Sequence, residues 1–226
     1  MNFKKALYIF LLIAPIFIIL QIFRGDSFLI GDIFGTNNVI VIDPGHGGHD
    51  PGTIGINNTY EKDINLEISK KLYERLKSMD YKVILTRDTD EYIHNMERIE
   101  LANKKKAKIF ISIHCNALDN DNKTNGVQVL YYPNEKSDSA DNDQDNESLA
   151  QMMLDDILAN TGAVNKGIVE RPDLIVLNQA NVPALLIESG FLSSKKESAL
   201  LITDEYQNKI VNGIVDGLDK YLTVSE

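Results

Sequence analysis

The chain has 226 residues, which is enough for one good-sized domain and little more. It carries 33 acidic and 23 basic side chains, and the net charge of −10 argues against nucleic acid as a partner, because a duplex-binding surface needs clustered Lys and Arg. Cys115 is the single cysteine, which excludes an internal disulfide, so the fold depends on its core or on a metal.

The N-terminal segment has the pattern of an export signal. Lys4 and Lys5 precede an apolar stretch at 6–23, which as a helix would span about 27 Å, just under a bilayer core of about 30 Å. The stretch ends without an alanine-x-alanine type of site, which favours an uncleaved anchor over a cleaved signal peptide. Both export the rest of the chain, since the lysines keep the N-terminus in the cytoplasm. We therefore predict a membrane anchor or signal segment at 1–24, a tether at 25–37 and a folded domain at 38–224.

From residue 39 onward, apolar strands alternate with amphipathic helices. The pattern predicts strands at 39–42, 82–86, 108–113, 127–132, 174–177 and 184–187. It predicts helices at 61–79, 92–105, 149–160, 195–201 and 205–222. This order is typical of the α/β class, so we expect a single domain with a mostly parallel, twisted sheet of about six strands flanked by helices on both faces.

The acidic segment 134–147 interrupts this alternation. Its composition predicts a solvated surface loop, and a contact loop for a protein partner is the alternative.

Four polar residues stand where strands end or a helix begins. His46 follows the first strand, His114 and Glu188 end the third and last strands, and Glu61 opens the first helix. The carboxyl ends of parallel strands share one edge of a sheet, where ligand sites gather. We therefore expect three of these side chains to emerge at one edge, with the fourth entering from the adjoining loop.

These residue types point to metal-assisted hydrolysis. Two imidazoles and one carboxylate form a known catalytic zinc set that leaves a fourth position for water. Zinc lowers the pKa of that water from about 15.7 towards about 7, and a further carboxylate can pass its proton to the departing nitrogen. We assign His46, Glu61 and His114 to zinc and Glu188 to proton transfer.

Each of the four residues also has a structural explanation when it is taken alone. A histidine at a strand end is often a satisfied structural residue, Glu61 could cap its helix in a pair with Asn58, and Glu188 could form an ion pair. Arg87 and Arg98 are predicted either to contact substrate carboxylates or to form ion pairs within the chain. Cys115 follows His114 in a strand, so its side chain should point the other way and be buried.

Several ordered segments of the sequence carry a family resemblance. They are DPGHGG (43–48), EK (61–62), TR (86–87), SIHCNA (112–117), GV (126–127) and PALLIESGFLS (183–193). Together they resemble the zinc-dependent type-3 family of N-acetylmuramoyl-L-alanine amidases over about residues 38–221. The resemblance implies zinc at His46, Glu61 and His114 and catalysis by Glu188, in agreement with the assignment from chemistry. The short single domain and the N-terminal segment look most like the amidases of the spore cortex and germination.

The resemblance implies hydrolysis of the amide bond between N-acetylmuramic acid and L-alanine in peptidoglycan, outside the cytoplasm, by a zinc-activated water. The alternatives are a zinc-dependent glycan deacetylase and a non-catalytic peptidoglycan-binding module, and the latter would be expected to lack one of the four residues. An acidic domain does not attract the carboxylates of peptidoglycan. We therefore expect recognition through a shaped groove or through an activating or targeting protein partner, which would raise zinc occupancy by ordering the helix start at Glu61.

Overall fold

The computed structural model describes residues 39–133 and 146–224. Its strands are β1 (Val39–Pro44), β2 (Lys82–Leu85), β3 (Ile109–Asn116), β4 (Val127–Tyr131), β5 (Asn165–Glu170) and β6 (Ala184–Phe191). Its helices are α1 (Glu61–Lys77), α2 (Asn95–Lys105), α3 (Asn146–Thr161), α4 (Ile175–Asn178), α5 (Lys195–Leu201) and α6 (Asp204–Val224).

The described strands form one sheet in the order β2-β1-β3-β6-β4-β5. β1 pairs in parallel with β2 and β3, and β3 pairs in parallel with β6. β4 is antiparallel to β6 and carries β5 in parallel at the edge. The expected α/β class with a mostly parallel sheet is confirmed, and the carboxyl ends of β1, β3 and β6 lie at the same edge.

Both faces of the sheet are buried, which explains the continuous apolar run of β1. Ile40 and Ile42 belong to the larger core with the apolar faces of α1, α3 and α6, whereas Val41 belongs to the smaller core on the opposite face. A strand covered on both sides loses the alternation of a half-exposed strand. The smaller core includes residues of α2 and α4, such as Ile99 and Leu177.

One predicted strand is wrong. Residues 174–177 were expected to be extended, but Ile175–Asn178 forms the short helix α4, in which Val176 and Leu177 are buried. A short apolar run cannot be assigned to helix or strand from periodicity alone, and here the chain turns over the sheet instead of joining it.

The sheet takes its remaining strand from β5, which the sequence pattern does not indicate. Its residues are exposed or half-buried throughout, so it lacks an apolar run. It also contains Gly167 at a φ of 80°, and glycine is depleted in strands. An edge position removes the demand for apolar residues that makes central strands recognisable.

Three predicted segments lie wholly or mostly outside the described residues: the anchor at 1–24, the tether at 25–37 and most of the acidic segment 134–147. The last two residues of that segment, Asn146 and Glu147, begin α3. No helix within 39–133 and 146–224 is both long enough and apolar enough to cross a membrane.

Candidate metal centre

The loop after β1 presents His46 in an unusual backbone conformation. Its φ is 61°, a left-handed value that is uncommon for a residue other than glycine and that tends to occur at functional sites. The imidazole Nδ1 lies 2.8 Å from Asp50 Oδ2, and Arg98 Nη2 donates to the main-chain oxygen of His46 at 2.7 Å. Both ends of the residue are therefore held, which leaves Nε2 directed to the other site residues.

Two buried arginines hold the loop after β1 in place. Arg98 forms an ion pair with Asp43 at 2.8 Å, and both side chains are almost fully buried. Arg87 donates instead to main-chain oxygens, among them those of Pro44 and Gly45, each at 2.9 Å. The ion-pair expectation is thus met by Arg98, while Arg87 fixes the same turn through carbonyl groups. The alternative prediction, that Arg87 and Arg98 contact a substrate carboxylate, is wrong because each arginine is only 2% exposed.

Glu61 opens α1 as expected, but it does not cap the helix. The residue before it, Tyr60, occupies the cap position without a side-chain hydrogen bond, so the alternative explanation, in which Glu61 and Asn58 form a capping pair, is wrong. Glu61 is 3% exposed, and its Oε2 accepts a hydrogen bond from the main-chain N–H of Thr53 at 2.9 Å. Its Oε1 accepts from the N–H of Cys115 at 3.2 Å, so the carboxylate is fixed between the loop and β3.

The structure brings His46, Glu61 and His114 together from three separate parts of the chain. Glu61 Oε1 lies 3.2 Å from His46 Nε2 and 2.9 Å from His114 Nδ1. The two imidazole rings are 4.8 Å apart between centroids and nearly perpendicular, at 74°. One potential ligand atom from each residue lies within 4.8 Å of the others. Two nitrogens and one carboxylate oxygen at this spacing fit a zinc ion with an open fourth position.

The charges of these groups are strongly coupled. Burial works against ionisation of Glu61, but hydrogen bonds from His114 and His46 outweigh it and hold the pKa of this carboxyl well below its usual range. Burial likewise opposes a charge on His46, yet Glu61 and Asp50 raise the pKa of the imidazole to about 9. The pocket therefore favours a positive charge next to the ionised carboxylate of Glu61. A divalent cation supplies such a charge, and it displaces protons from its ligands when it binds.

Glu188 lies beside this group on the neighbouring strand. His114 of β3 and Glu188 of β6 are register partners, so their side chains share one face of the sheet. Both residues lie inside their strands, which run on to Asn116 and Phe191. The expectation that they end the strands is wrong, because β3 and β6 continue to pair beyond them.

The carboxyl of Glu188 is unusual in its surroundings. Its Oε2 atom is buried and has no hydrogen-bond partner among the described residues. Burial raises the pKa of Glu188 to about 7; the charge of His114 opposes this shift, and that of Glu61 adds to it. A carboxyl that changes protonation near neutral pH can both accept and donate a proton. Glu188 Oε2 therefore forms no ion pair of the kind that would give this residue a purely structural role.

Cys115 contributes no ligand atom to the group. It is 2% exposed and belongs to the larger core on the opposite face of the sheet, as expected from its place next to His114. Burial raises the pKa of the Cys115 thiol well above its ordinary value, so it stays protonated and unreactive.

Two orienting residues were missed by the analysis of the sequence. Asp50 holds His46 Nδ1, and Asn65 Nδ2 donates to Glu61 Oε1 and to the main-chain oxygen of Gly45, each at 3.3 Å. The signal for Asn65 is its position, since it follows Glu61 by four residues on the buried face of α1 and is fully buried itself. Such partners fix the direction of metal ligands.

Two glycines leave the space that the three residues occupy. A Cβ on Gly45 would lie 2.1 Å from His114 Nε2. A Cβ on Gly52 would lie 2.5 Å from Glu61 Oε2 and 2.7 Å from His46 Cδ2. The glycine-rich loop is therefore required by the close approach of the backbone to the site.

Comparisons with known proteins agree with this geometry. Residues 40–220 match the model of a family described as N-acetylmuramoyl-L-alanine amidase. The germination-specific N-acetylmuramoyl-L-alanine amidase of Bacillus subtilis (strain 168) is 29% identical over 217 residues, which cover 90% of this chain and 87% of that protein.

Two solved structures are also similar. The N-acetylmuramoyl-L-alanine amidase from Clostridium difficile 630 is 38% identical, with a TM-score of 0.76 over 83% of this chain and 98% of that one. The CwlD amidase from Clostridioides difficile in complex with the GerS lipoprotein is 34% identical, with a TM-score of 0.69 over 83% of this chain and 99% of that one.

Replacement of Gly52 by alanine tests the packing of the site. Gly52 and Gly162 have nearly equal φ values of 64° and 65°, but a Cβ on Gly162 has nothing within 4 Å. Gly52→Ala and Gly162→Ala should therefore both lose about 1 kcal/mol of folding stability through left-handed strain, and Gly52→Ala should lose about 1–3 kcal/mol more because its Cβ overpacks against Glu61 and His46. Only Gly52→Ala should also weaken metal binding, by about 10-fold or more.

The readouts are urea unfolding and titration of the purified variants with zinc. Equal zinc affinities of Gly52→Ala and Gly162→Ala would show that the space beside Glu61 does not matter for the metal.

Proposed function

The chain belongs to the N-acetylmuramoyl-L-alanine amidase family, and we propose that it hydrolyses the amide bond between N-acetylmuramic acid and L-alanine in peptidoglycan with a zinc-activated water. The observation that carries this proposal is the meeting of His46, Glu61 and His114 within 4.8 Å. Glu188, whose Oε2 is buried without a partner, lies beside them on the next strand. This arrangement supplies both the ligands and the spare acid that amide hydrolysis needs.

His46, Glu61 and His114 would hold the zinc ion. Zinc in such a site supplies a nucleophilic water at neutral pH and polarises the carbonyl of the bond to be cleaved. The chain contributes the rigidity: Asp50 fixes the imidazole of His46, and Asn65 fixes the carboxylate of Glu61. Ligands held in this way do not have to reorganise when the substrate binds.

Glu188 would move the proton. Amide hydrolysis requires a base that takes a proton from the attacking water and an acid that gives one to the departing nitrogen of L-alanine. The pKa of about 7 allows Glu188 to act in both ways at neutral pH. Its free Oε2 is available for a hydrogen bond with water or substrate.

We also propose that the domain acts outside the cytoplasm, tethered through residues 1–24, and that another protein assists it. Peptidoglycan lies outside the membrane, and the basic-then-apolar order of the N-terminal segment supports export. The similar CwlD amidase has been solved in complex with a lipoprotein, which supports a protein partner for this chain as well.

Product analysis tests the proposed reaction. The purified protein, incubated with peptidoglycan, should release stem peptides with new free L-alanine amino termini, which mass spectrometry of the products detects. Removal of zinc by a chelator should abolish this release, and added zinc should restore it.

The two alternative functions give different results in the same experiment. Release of acetate instead of new amino termini would identify a deacetylase. A zinc-loaded protein that binds peptidoglycan but releases neither product would be a binding module.

Replacement of Glu188 separates proton transfer from metal binding. Glu188→Gln keeps the shape of the side chain but removes its acid, so turnover should fall by about 100- to 10,000-fold. Zinc content should stay at the wild-type level, because Glu188 is not one of the three ligand residues. As a control, His114→Ala should lose zinc and activity together. Normal turnover by Glu188→Gln would remove Glu188 from the mechanism.

A further inference from the structure

A row of half-buried residues crosses three strands of the sheet at the level of Glu188. His114 of β3, Glu188 of β6 and Gln128 of β4 are successive register partners. Every other residue of β4 and of β6 is buried, whereas Gln128, Glu188 and His114 are half-buried. Residues paired across neighbouring strands point to the same face of a sheet. The three side chains therefore line one opening, which runs from the metal ligands across β6 to β4.

The packing around this row confirms that Gln128 and Glu188 share a face. Leu130 of β4 and Leu186 of β6 both belong to the smaller core. Side chains alternate along a strand, so Gln128 and Glu188, each two residues away from one of these leucines, lie on the same face. Their β-carbons are then about 5 Å apart, as in any directly opposite pair of residues.

The amide of Gln128 is held in one orientation and keeps a free acceptor. Its Nε2 donates to the main-chain oxygen of Lys166 at 3.3 Å. A carbonyl oxygen only accepts hydrogen bonds, so the nitrogen of the amide and not its oxygen must face Lys166. The residues at 39–133 and 146–224 donate no hydrogen bond to Oε1 of Gln128. Structural support of the edge strand therefore accounts for Nε2, whereas Oε1 is available to a substrate.

The order of the groups along the row determines how the substrate lies. In the proposed reaction, the carbonyl of the bond to be cleaved lies toward His46, Glu61 and His114. The nitrogen of that bond lies against Glu188, from which it receives a proton. The stem peptide begins at this nitrogen, and β4 follows β6 in the sheet. The peptide therefore continues from Glu188 toward Gln128.

The separation of Glu188 and Gln128 corresponds to about one residue of peptide. Neighbouring strands lie about 4.8 Å apart, and an extended peptide advances about 3.5 Å per residue. One residue beyond the departing nitrogen is the N–H of the peptide bond between L-alanine and the second stem residue. This N–H is a donor, and Oε1 of Gln128 is an acceptor without a partner among the described residues.

We propose that Gln128 is a substrate-binding residue, whose Oε1 accepts a hydrogen bond from the N–H of the second stem-peptide residue and so holds the departing nitrogen against Glu188. The site thereby favours stems in which a peptide bond follows L-alanine. The proposal rests on the proposed function, because it concerns the substrate of the same site.

The test compares one variant with wild type on two synthetic substrates. Both are glycan strands with a two-residue stem that begins with L-alanine, and in one of them an ester oxygen replaces the N–H of the second residue. Wild type should cleave the peptide-linked stem with a kcat/KM about 10-fold higher than the ester-linked stem, because the ester lacks the donor. Gln128→Met, which keeps the length of the side chain but removes the amide, should lower kcat/KM about 10-fold on the peptide-linked stem. On the ester-linked stem it should match wild type within about 2-fold, because no hydrogen bond is lost there.

Gln151→Met is the matched control, since it makes the same change at an exposed glutamine of α3, on the opposite face of the sheet. It should behave as wild type on both substrates, and both variants should retain zinc. Equal losses of Gln128→Met on the two substrates, or no loss on either, would overturn the role of Gln128 while wild-type cleavage still supported the amidase. Equal cleavage of the two substrates by wild type would overturn it without any variant. A zinc-loaded wild type that cleaves neither substrate would overturn the amidase function and this proposal together.

Discussion

A carboxylate that is buried between two imidazoles is the constraint on which the rest of the site depends. Glu61 is 3% exposed, and a buried charge is costly unless every lone pair is satisfied. The fold satisfies it with the N–H groups of Thr53 and Cys115 and with the imidazoles of His46 and His114. The loop, the start of α1 and the end of β3 must therefore stay in place together. A zinc ion bound to the imidazoles would supply the opposite charge that this arrangement demands.

The loop that carries His46 is held in place by hydrogen bonds and an ion pair rather than by apolar packing. Asp43 accepts hydrogen bonds from Thr86 and Ser112 in addition to its ion pair with Arg98. Buried ion pairs rarely increase net stability, because desolvation offsets their attraction. Their value here is directional: Arg98 also donates to the main-chain oxygen of His46 and so maintains its left-handed backbone. The network costs folding stability, but it holds the turn in a single conformation.

The sequence predicted three side chains that the structure brings together, His46, Glu61 and His114, but it did not predict every strand of the sheet. His46, His114 and Glu188 can be recognised in the sequence because they are polar residues that interrupt apolar strands, where polar side chains are otherwise rare. Ligand sites gather at this edge of a parallel sheet. β5 lacks such a signal, since an edge strand needs no apolar run, and the apolar residues of α4 resemble a strand. Asp50 and Asn65 were missed for a different reason. Their roles depend on distances to His46 and Glu61 that exist only in the folded chain.

X-ray absorption at the zinc edge of the purified protein tests the central claim most directly, because it reports the atoms around the ion. Ligation by His46, Glu61 and His114 predicts only nitrogen and oxygen neighbours at about 2.0–2.2 Å, together with the multiple-scattering signature of two imidazoles. A sulfur neighbour at about 2.3 Å, which would have to come from Cys115 or a methionine, would contradict the account, as would a spectrum with fewer than two imidazoles.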